Sequence, residues 1–499
     1  MSDPTETKPG LTEARPSNSS MAEAGEERDI SEQVLTPTQN RKLLIKTNSV
    51  ILVVMVLASL LAFLDKNAMS FAAVYGMSQE VGLVNQDYSW LGSIFYFGYI
   101  AMEIPALWLL TRVRIGKFIG TILVLWGITI TAMAGCKSFA TLAVARFFLG
   151  VFEAALLPCC ILLTSIWYRR EEHALVSALY FNTFAGIFGG ILAYAIGQIQ
   201  GGLSPWKYLF IIYGSVTLVF GFVVLAILPD SPQTAWFFTA EQKKLVVIRT
   251  AENQTGVSSN KTWKMGQVYE ALKDPKYWAL SIGVMAFAVT NAGITNFNPL
   301  IISGYGFSRT KTVLMASPQA AVAIVAQVTA TVIMLYVPNV RCIIWVLSTL
   351  PAIAGTVMIH LLDIKTERAA SLTGVYLMGF YNVSFVTMLS LQSSNNSGTT
   401  KKSFASVSVA IWYSVGNIFG PQFFRTDQAP YYPLGINAMM TAFSVNAVMG
   451  MIYFACCFIE NKRRDREYGK PVESSVAVGL EVDLEDLTDG ENHHFRYSY

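Results

Sequence analysis

Residues 50–76 read "VILVVMVLASLLAFLDKNAMSFAAVYG", an apolar run that places Asp65 and Lys66 side by side in its second half. The run is long enough to cross a bilayer, whose hydrocarbon core takes roughly 20 such residues to span. At the centre of a membrane helix each ionised side chain costs on the order of 2.5–3.5 kcal/mol. A cost of that size points to a use.

Composition extends this reading to the whole chain. Of 499 residues 53% are hydrophobic and only 14% charged, against about 25% charged in soluble domains, which excludes an ordinary soluble fold. Apolar runs lie near 50–76, 88–111, 117–136, 139–167, 174–199, 207–228, 277–302, 313–337, 341–362, 367–392, 403–423 and 434–460. They predict an all-α membrane protein with about twelve transmembrane helices in two six-helix halves. Residues 1–46, rich in Ser, Thr, Pro and Glu, read as a disordered tail without a cleavable signal peptide. The halves are then 47–228 and 277–460, joined by a connecting loop with a short helix over 229–276, where "LPDSPQTAWFFTAEQKK" breaks the apolar pattern. Residues 461–499 form a second tail.

Lys and Arg orient the chain. Arg41, Lys42 and Lys46 precede the first span; Arg112, Arg114 and Lys117 join the second to the third; Arg169, Arg170, Arg341, Lys401, Lys402 and the run Lys462 to Arg466 fall on the same side. The positive-inside rule makes that side cytoplasmic, with both termini inside. The net charge of +3 reflects this loop bias and gives no reason to expect nucleic acid as a partner. The six cysteines lie in or beside spans and predict no disulfide framework. His493 and His494 lack the spacing and partners of a metal site, and no Walker-type glycine loop is present to couple transport to ATP.

The fourth span, "ARFFLGVFEAALLP", carries Arg146 and Glu153 seven residues apart, hence on one helical face about 10.5 Å apart along the axis. Gly150 lies between them and is expected to leave a gap for a small ligand or a neighbouring side chain. At 1.5 Å per residue Asp65 lies about 22 Å up a span that starts inside and Arg146 about 10 Å down one that starts outside. In a core of ~30 Å these depths nearly coincide, so the Asp65–Lys66 pair is expected to meet Arg146, with Glu153 nearer the midplane. The competing reading is a structural ion pair locking the first span to the fourth. Glu103, near Arg112 and Arg114 at the cytoplasmic end of the second span, reads as a structural or gating contact.

The second half supplies amides and aromatics. "NAGITNFNP" brings Asn291, Thr295 and Asn298 to one face before Pro299, which is expected to interrupt the helix and leave carbonyls for water in a cavity. "GVYLMGFYNVSF" adds Tyr376, Tyr381 and Asn382, and "IWYSVGNIFGPQFF" adds Trp412 and Asn417. Singly these are packing or interhelical hydrogen-bonding residues; together they make a polar wall opposite a charged one. Gly186 and Gly190 in "NTFAGIFGGILAYAIG" read as close helix packing that permits rocking.

On "FLDKNAMSFAAVYGM", "ARFFLGVFEAALLPCCILLTSIWYRREE", "GTTKKSFASVSVAIWYSVGNIFGPQFF" and the tail "DLTDGENHHFRY", the chain resembles the major facilitator superfamily, specifically its anion:cation symporter family and the fungal allantoate permease branch. The resemblance implies two six-helix halves alternating access to a central site, driven by protons, for small organic anions. By position Asp65 and Glu153 match the family's proton-coupling carboxylates, and Lys66 and Arg146 its anion-binding and coupling cations. Two positions depart from the pattern: Thr111 where an acidic residue is usual, and His173 where a stronger base is usual. The expected protein is a monomeric plasma-membrane importer, needing no cofactor and no enzyme chemistry, whose partners are protons, the lipid bilayer and a carboxylate such as allantoate, ureidosuccinate or a vitamin anion. The alternatives are an exporter or facilitator of a carboxylated secondary metabolite, and a nutrient-sensing membrane receptor.

Overall fold

Thr36 opens the first helix with a reciprocal cap, its hydroxyl accepting from the Gln39 backbone N–H while the Gln39 side chain accepts from its own, and Pro37 fills the first helical position. Residues 37–46, assigned to the tail from the sequence, are therefore helical and pass through a π-helical turn at Asn48–Leu52 into the first span. The result is α1, Pro37–Val74. The structure is a computed structural model and describes residues 36–110, 112–180, 185–251, 263–363, 366–469 and 486–499. The remainder of the expected tail, 1–35, and Thr111 lie outside the described residues.

Among the described residues nine further helices are long and apolar enough to cross a membrane, making ten with α1. They are α2 Asp87–Leu110, α3 Ile115–Met133, α4 Phe139–Trp167, α6 Pro205–Ile227, α7 Pro275–Ser303, α8 Arg309–Tyr336, α9 Arg341–Leu361, α10 Arg368–Asn395 and α12 Pro433–Tyr468. The other two places are taken by α5, described over Arg170–Tyr180 and Ala185–Gly197, and by α11, Thr399–Phe419, whose apolar run is diluted by Lys401, Lys402 and Asn417. The fold is an all-α bundle of two six-helix halves. Proline positions behave unequally. Pro158 offers no N–H to the Ala154 carbonyl, and α4 turns at Ala155. Pro299, expected to interrupt α7, is carried inside a helix that continues to Ser303. Among the described residues the connecting segment holds two α-helices rather than one, Ala240–Ala251 and Met265–Lys273, after a single 3-10 turn at Pro232–Thr234. The first α-helix is tied back to the N-terminal set, with Lys46 donating to Gln242 and Arg249 paired with Glu172.

Within the sets α2 packs on α4, α3 on α6, and α7 on α11 and α12; between them α1 meets α7, α2 meets α11, and α5 meets α8. A β-carbon on Gly190 would overlap the Ser317 hydroxyl and one on Gly186 would lie 2.7 Å from Ala320 Cβ, so these glycines let α5 approach α8, as their spacing suggested. Hydrogen bonds that cross between the sets include Tyr88 to the Asn296 carbonyl, Ser89 to the Phe424 carbonyl and Ser93 to the Ile418 carbonyl, at the end opposite the termini. Those bonds join the two sets at that end.

The last fourteen residues, 486–499, are docked under the C-terminal set. Lys401 at the start of α11 pairs with Asp489 at 2.7 Å, the two side chains 2% and 1% exposed. Asp489 also accepts from the Tyr497 hydroxyl, to which Arg464 of α12 donates. Asn395 at the end of α10 exchanges two hydrogen bonds with Ser498, and the Arg341 N–H at the start of α9 donates to the Tyr499 carbonyl. His493 stacks on Tyr468, ring centroids 4.4 Å apart. Burial opposes ionisation of Asp486, but hydrogen bonds from Thr399 and Lys264 outweigh it and hold the carboxyl below its ordinary 3.8. Its contribution to docking is thus present above the ordinary Asp range and lost as pH falls through the lowered value. Lys401→Met strands the buried Asp489 carboxylate and is expected to lower stability by about 3–5 kcal/mol. Thermal unfolding in detergent reads this as a lowered midpoint that Lys401→Met combined with Asp489→Leu largely restores.

Candidate anion and proton site

Successive residues of a helix point about 100° apart, so Asp65 and Lys66 part company. Asp65, 1% exposed, turns into the N-terminal set, where Trp126 of α3 donates to its Oδ2 at 3.2 Å. Lys66 turns toward the other set. Its Nζ donates to the Tyr413 hydroxyl of α11 at 3.1 Å and lies 5.6 and 5.5 Å from the ring centroids of Tyr96 and Tyr413. Arg146, 4% exposed, donates through Nε to the Leu91 carbonyl at 3.3 Å and holds its guanidinium 5.2 Å from the Phe95 ring centre. Arg146 is therefore buried, and Lys66 half-buried, against π faces and backbone or phenol oxygen.

Lys66 and Arg146 line one narrow cleft together with Phe95, Tyr96, Thr295 and Asn296. The ion pairs expected from matching depth do not form: among the described residues no N···O contact within 4.0 Å joins Asp65, Lys66, Arg146 and Glu153. The helical angle between residues 65 and 66 is the reason for Asp65, which faces α3 instead. Glu153 is half-buried, in the field of Lys66, Asp65 and Arg146. One oxygen of each carboxylate, Asp65 Oδ1 and Glu153 Oε2, is enclosed without a hydrogen-bond partner.

Behind Lys66, on the C-terminal side, runs a hydrogen-bonded chain that meets it at the Tyr413 hydroxyl. Asn291 of α7 donates to the Tyr413 hydroxyl at 3.1 Å and to Asn417 Oδ1 at 2.9 Å, and accepts from the Tyr381 hydroxyl at 3.0 Å. Thr295 reaches the cleft. Asn298 turns away from it and bonds Gln319 of α8. Asn382 is half-buried and has no place in the chain, and Trp412 packs edge-on against Trp278 at 6.2 Å.

Residues 55–421 match the family model of the Major Facilitator Superfamily. The chain is 31% identical to the allantoate permease of Saccharomyces cerevisiae over 480 residues, 93% of this chain and 87% of that one. It is 30% identical to the thiamine pathway transporter of the same yeast over 501 residues, 98% and 92% of the two chains. The chain belongs to the major facilitator superfamily, in its fungal allantoate permease branch. It is a multi-pass membrane transporter and not an enzyme. Its fold is similar to that of a bacterial homologue of the human lysosomal transporter Spinster, solved inward-facing and occupied, with a TM-score of 0.59 at 17% identity over 83% of this chain and 96% of that one.

Three further expectations change in this transporter. Gly150 does not leave a gap. A β-carbon there would overlap the Phe95 carbonyl, and one on Gly98 would overlap the Phe147 carbonyl, so the backbones of α2 and α4 are in contact and Phe95 fills the space between Arg146 and Glu153. Glu103 is half-buried with Oε2 unpartnered, while Arg112 and Arg114 are exposed; Arg112 sits 5.5 Å from the Trp108 ring centre, and among the described residues no ion pair joins either arginine to Glu103. At this end Asp230 instead accepts from the Gly116 N–H at the start of α3. Finally, Tyr413 takes the place expected of Trp412. Tyr413 is four residues before Asn417 and shares its face, whereas Trp412 is five before and points elsewhere, a distinction the sequence already contained. Phe95, Tyr96 and Asn296 gave no such signal.

Gly150→Ala should force α2 off α4 and tilt Arg146 out of the cleft. The expected loss is about 3 kcal/mol, the upper range for overpacking, read as reduced monodisperse yield and a lowered unfolding midpoint. Ala145→Gly, at a half-buried position of the same helix, should cost about 1 kcal/mol.

Proposed function

We propose that this transporter imports a small organic anion together with a proton across the plasma membrane, with both termini in the cytoplasm. The observation that carries the reading is the pair of cations, half-buried Lys66 from α1 and buried Arg146 from α4, on the wall of one cleft with, among the described residues, no carboxylate within ion-pairing distance. A buried charge without a counter-ion is costly, and a ligand carboxylate reduces that cost where a structural salt bridge has not already done so. The name of the yeast allantoate permease fits a carboxylate substrate, and the basic loops favour the stated orientation. In that orientation the end joined by the Tyr88, Ser89 and Ser93 hydrogen bonds is extracellular.

Coupling follows from charge. With Glu153 ionised, its field partly neutralises Lys66 and Arg146 and weakens their hold on an anion; a proton on Glu153 frees them. Proton and anion then favour each other's binding by the same factor. Symport results when the carrier holding only one of them reorients poorly. Asp65, held by Trp126, is the second proton-carrying candidate, and Asn291, Thr295, Tyr381 and Asn417 form the wall that orients the rest of the substrate.

In cells lacking their own carriers, the transporter should accumulate at least one of allantoate, ureidosuccinate, nicotinate, pantothenate and biotin, more strongly at acidic external pH and not after the proton gradient is collapsed. Lys66→Gln should remove detectable uptake, since truncating the charged partner of a carboxylate costs about 2–5 kcal/mol. Failure of every anion, or net outward movement only, contradicts import.

Reconstituted Glu153→Gln should exchange labelled for unlabelled substrate yet fail to accumulate it against a gradient. Parallel loss of exchange and accumulation, or proton-driven accumulation as in the wild type, would reject Glu153 as the coupling carboxylate.

A further inference from the structure

The hydrogen-bond chain behind Lys66 fixes the direction of every bond in it. Asn417 Nδ2 donates to the Tyr413 backbone carbonyl at 2.8 Å, so Asn417 Oδ1 faces Asn291 and needs a donor. Asn291 Nδ2 is that donor, and the same amide donates to the Tyr413 hydroxyl at 3.1 Å while Oδ1 accepts from Tyr381. A lysine ammonium only donates, so Lys66 also gives a hydrogen bond to the Tyr413 oxygen. The phenol oxygen thus accepts twice, which uses both its lone pairs. Its own proton is unspent: among the described residues the Tyr413 hydroxyl has no acceptor.

We infer that Tyr413 is a specificity residue of the anion site, donating its hydroxyl proton to the same carboxylate that Lys66 holds. This rests on the organic-anion reading above. Lys66 lines the cleft, and its Nζ stands 3.1 Å from the Tyr413 hydroxyl just behind it, so an oxygen that Lys66 binds comes within hydrogen-bonding reach of Tyr413. In the empty site the phenol oxygen serves as the acceptor for the ammonium. When the anion arrives, the Lys66 bond passes to its carboxylate and the tyrosine changes from acceptor to donor. Asn291, fixed by Asn417 and Tyr381, keeps the phenol in place during the exchange. Because Tyr413 belongs to α11 and Lys66 to α1, the carboxylate then bridges the two six-helix sets. The donor also predicts selectivity: hydrogen bonds to a charged acceptor are roughly twice as strong as neutral ones, so a carboxylate gains more from it than the carboxamide of the same molecule.

The test compares wild type with Tyr413→Phe, which removes one oxygen and keeps the ring beneath Lys66. Binding of nicotinate, nicotinamide, biotin, biotin amide, allantoate, ureidosuccinate and pantothenate is measured by thermal stabilisation of the purified full chain, and transport of those carboxylates by uptake into proteoliposomes. The expected result is an affinity for the preferred carboxylate weakened about tenfold, with KM rising by a larger factor than the maximal rate falls, and a carboxylate-over-carboxamide preference reduced by about the same tenfold. Equal weakening of acid and amide, no weakening, or a fall confined to maximal rate would overturn the donor role while leaving the anion reading intact. If wild type binds no carboxylate of the set, the anion reading fails and this inference falls with it.

Discussion

Two cations are held inside the membrane bundle without a salt bridge, and the arrangement around them follows from that constraint. A desolvated guanidinium or ammonium needs electron density near it. Here it comes from the Leu91 carbonyl and the Phe95 ring for Arg146, and from the Tyr413 oxygen with the rings of Tyr96 and Tyr413 for Lys66. These partners are weaker than a carboxylate and can be exchanged for one. Asp65 and Glu153 lie close enough to set the field yet outside ion-pairing distance, which keeps the cations available. The glycine contact of α2 with α4 serves the same end, because it brings Phe95 and the Leu91 carbonyl up to Arg146.

The constraint also gives the two six-helix sets different tasks. The N-terminal set carries all four membrane-embedded charges discussed here, and the C-terminal set answers with neutral groups, Asn291, Tyr381, Tyr413 and Asn417, already bonded to one another. Such a wall can take up a polar substrate by redirecting bonds without exposing a new charge to lipid. The docked tail acts at the other end of the same set. It ties the ends of α9, α10, α11 and α12 together through Arg341, Asn395, Lys401 and Arg464.

Much of this was legible in the sequence because the membrane penalises ambiguity. Apolar length fixed the number of spans, and a charge inside a span could be noticed against its background. Gly186 and Gly190 announced a close helix contact by spacing alone. What escaped was direction. Depth placed Asp65, Lys66 and Arg146 at one level, but whether they meet depends on rotation about the helix axis, and one residue's turn sends Asp65 to Trp126 and Lys66 to Tyr413. The same rotation separates Asn298 from Asn296 and Trp412 from Tyr413. Gly150 illustrates a second limit: the absence of a side chain reads equally as a gap or as a place for another backbone, and only packing decides. The tail's docking depends on partners scattered from Arg341 to Arg464, which no local pattern connects.

The claim at the centre of this account is that anion and proton share one site energetically, through Glu153 and the two cations. Isothermal titration of the detergent-purified transporter with its anion, repeated in buffers of different ionisation enthalpy, measures the protons taken up per anion bound. The account predicts uptake of up to about one proton near neutral pH, and almost none in Glu153→Gln with binding retained. Tight anion binding in the wild type with no proton uptake at any pH would contradict it.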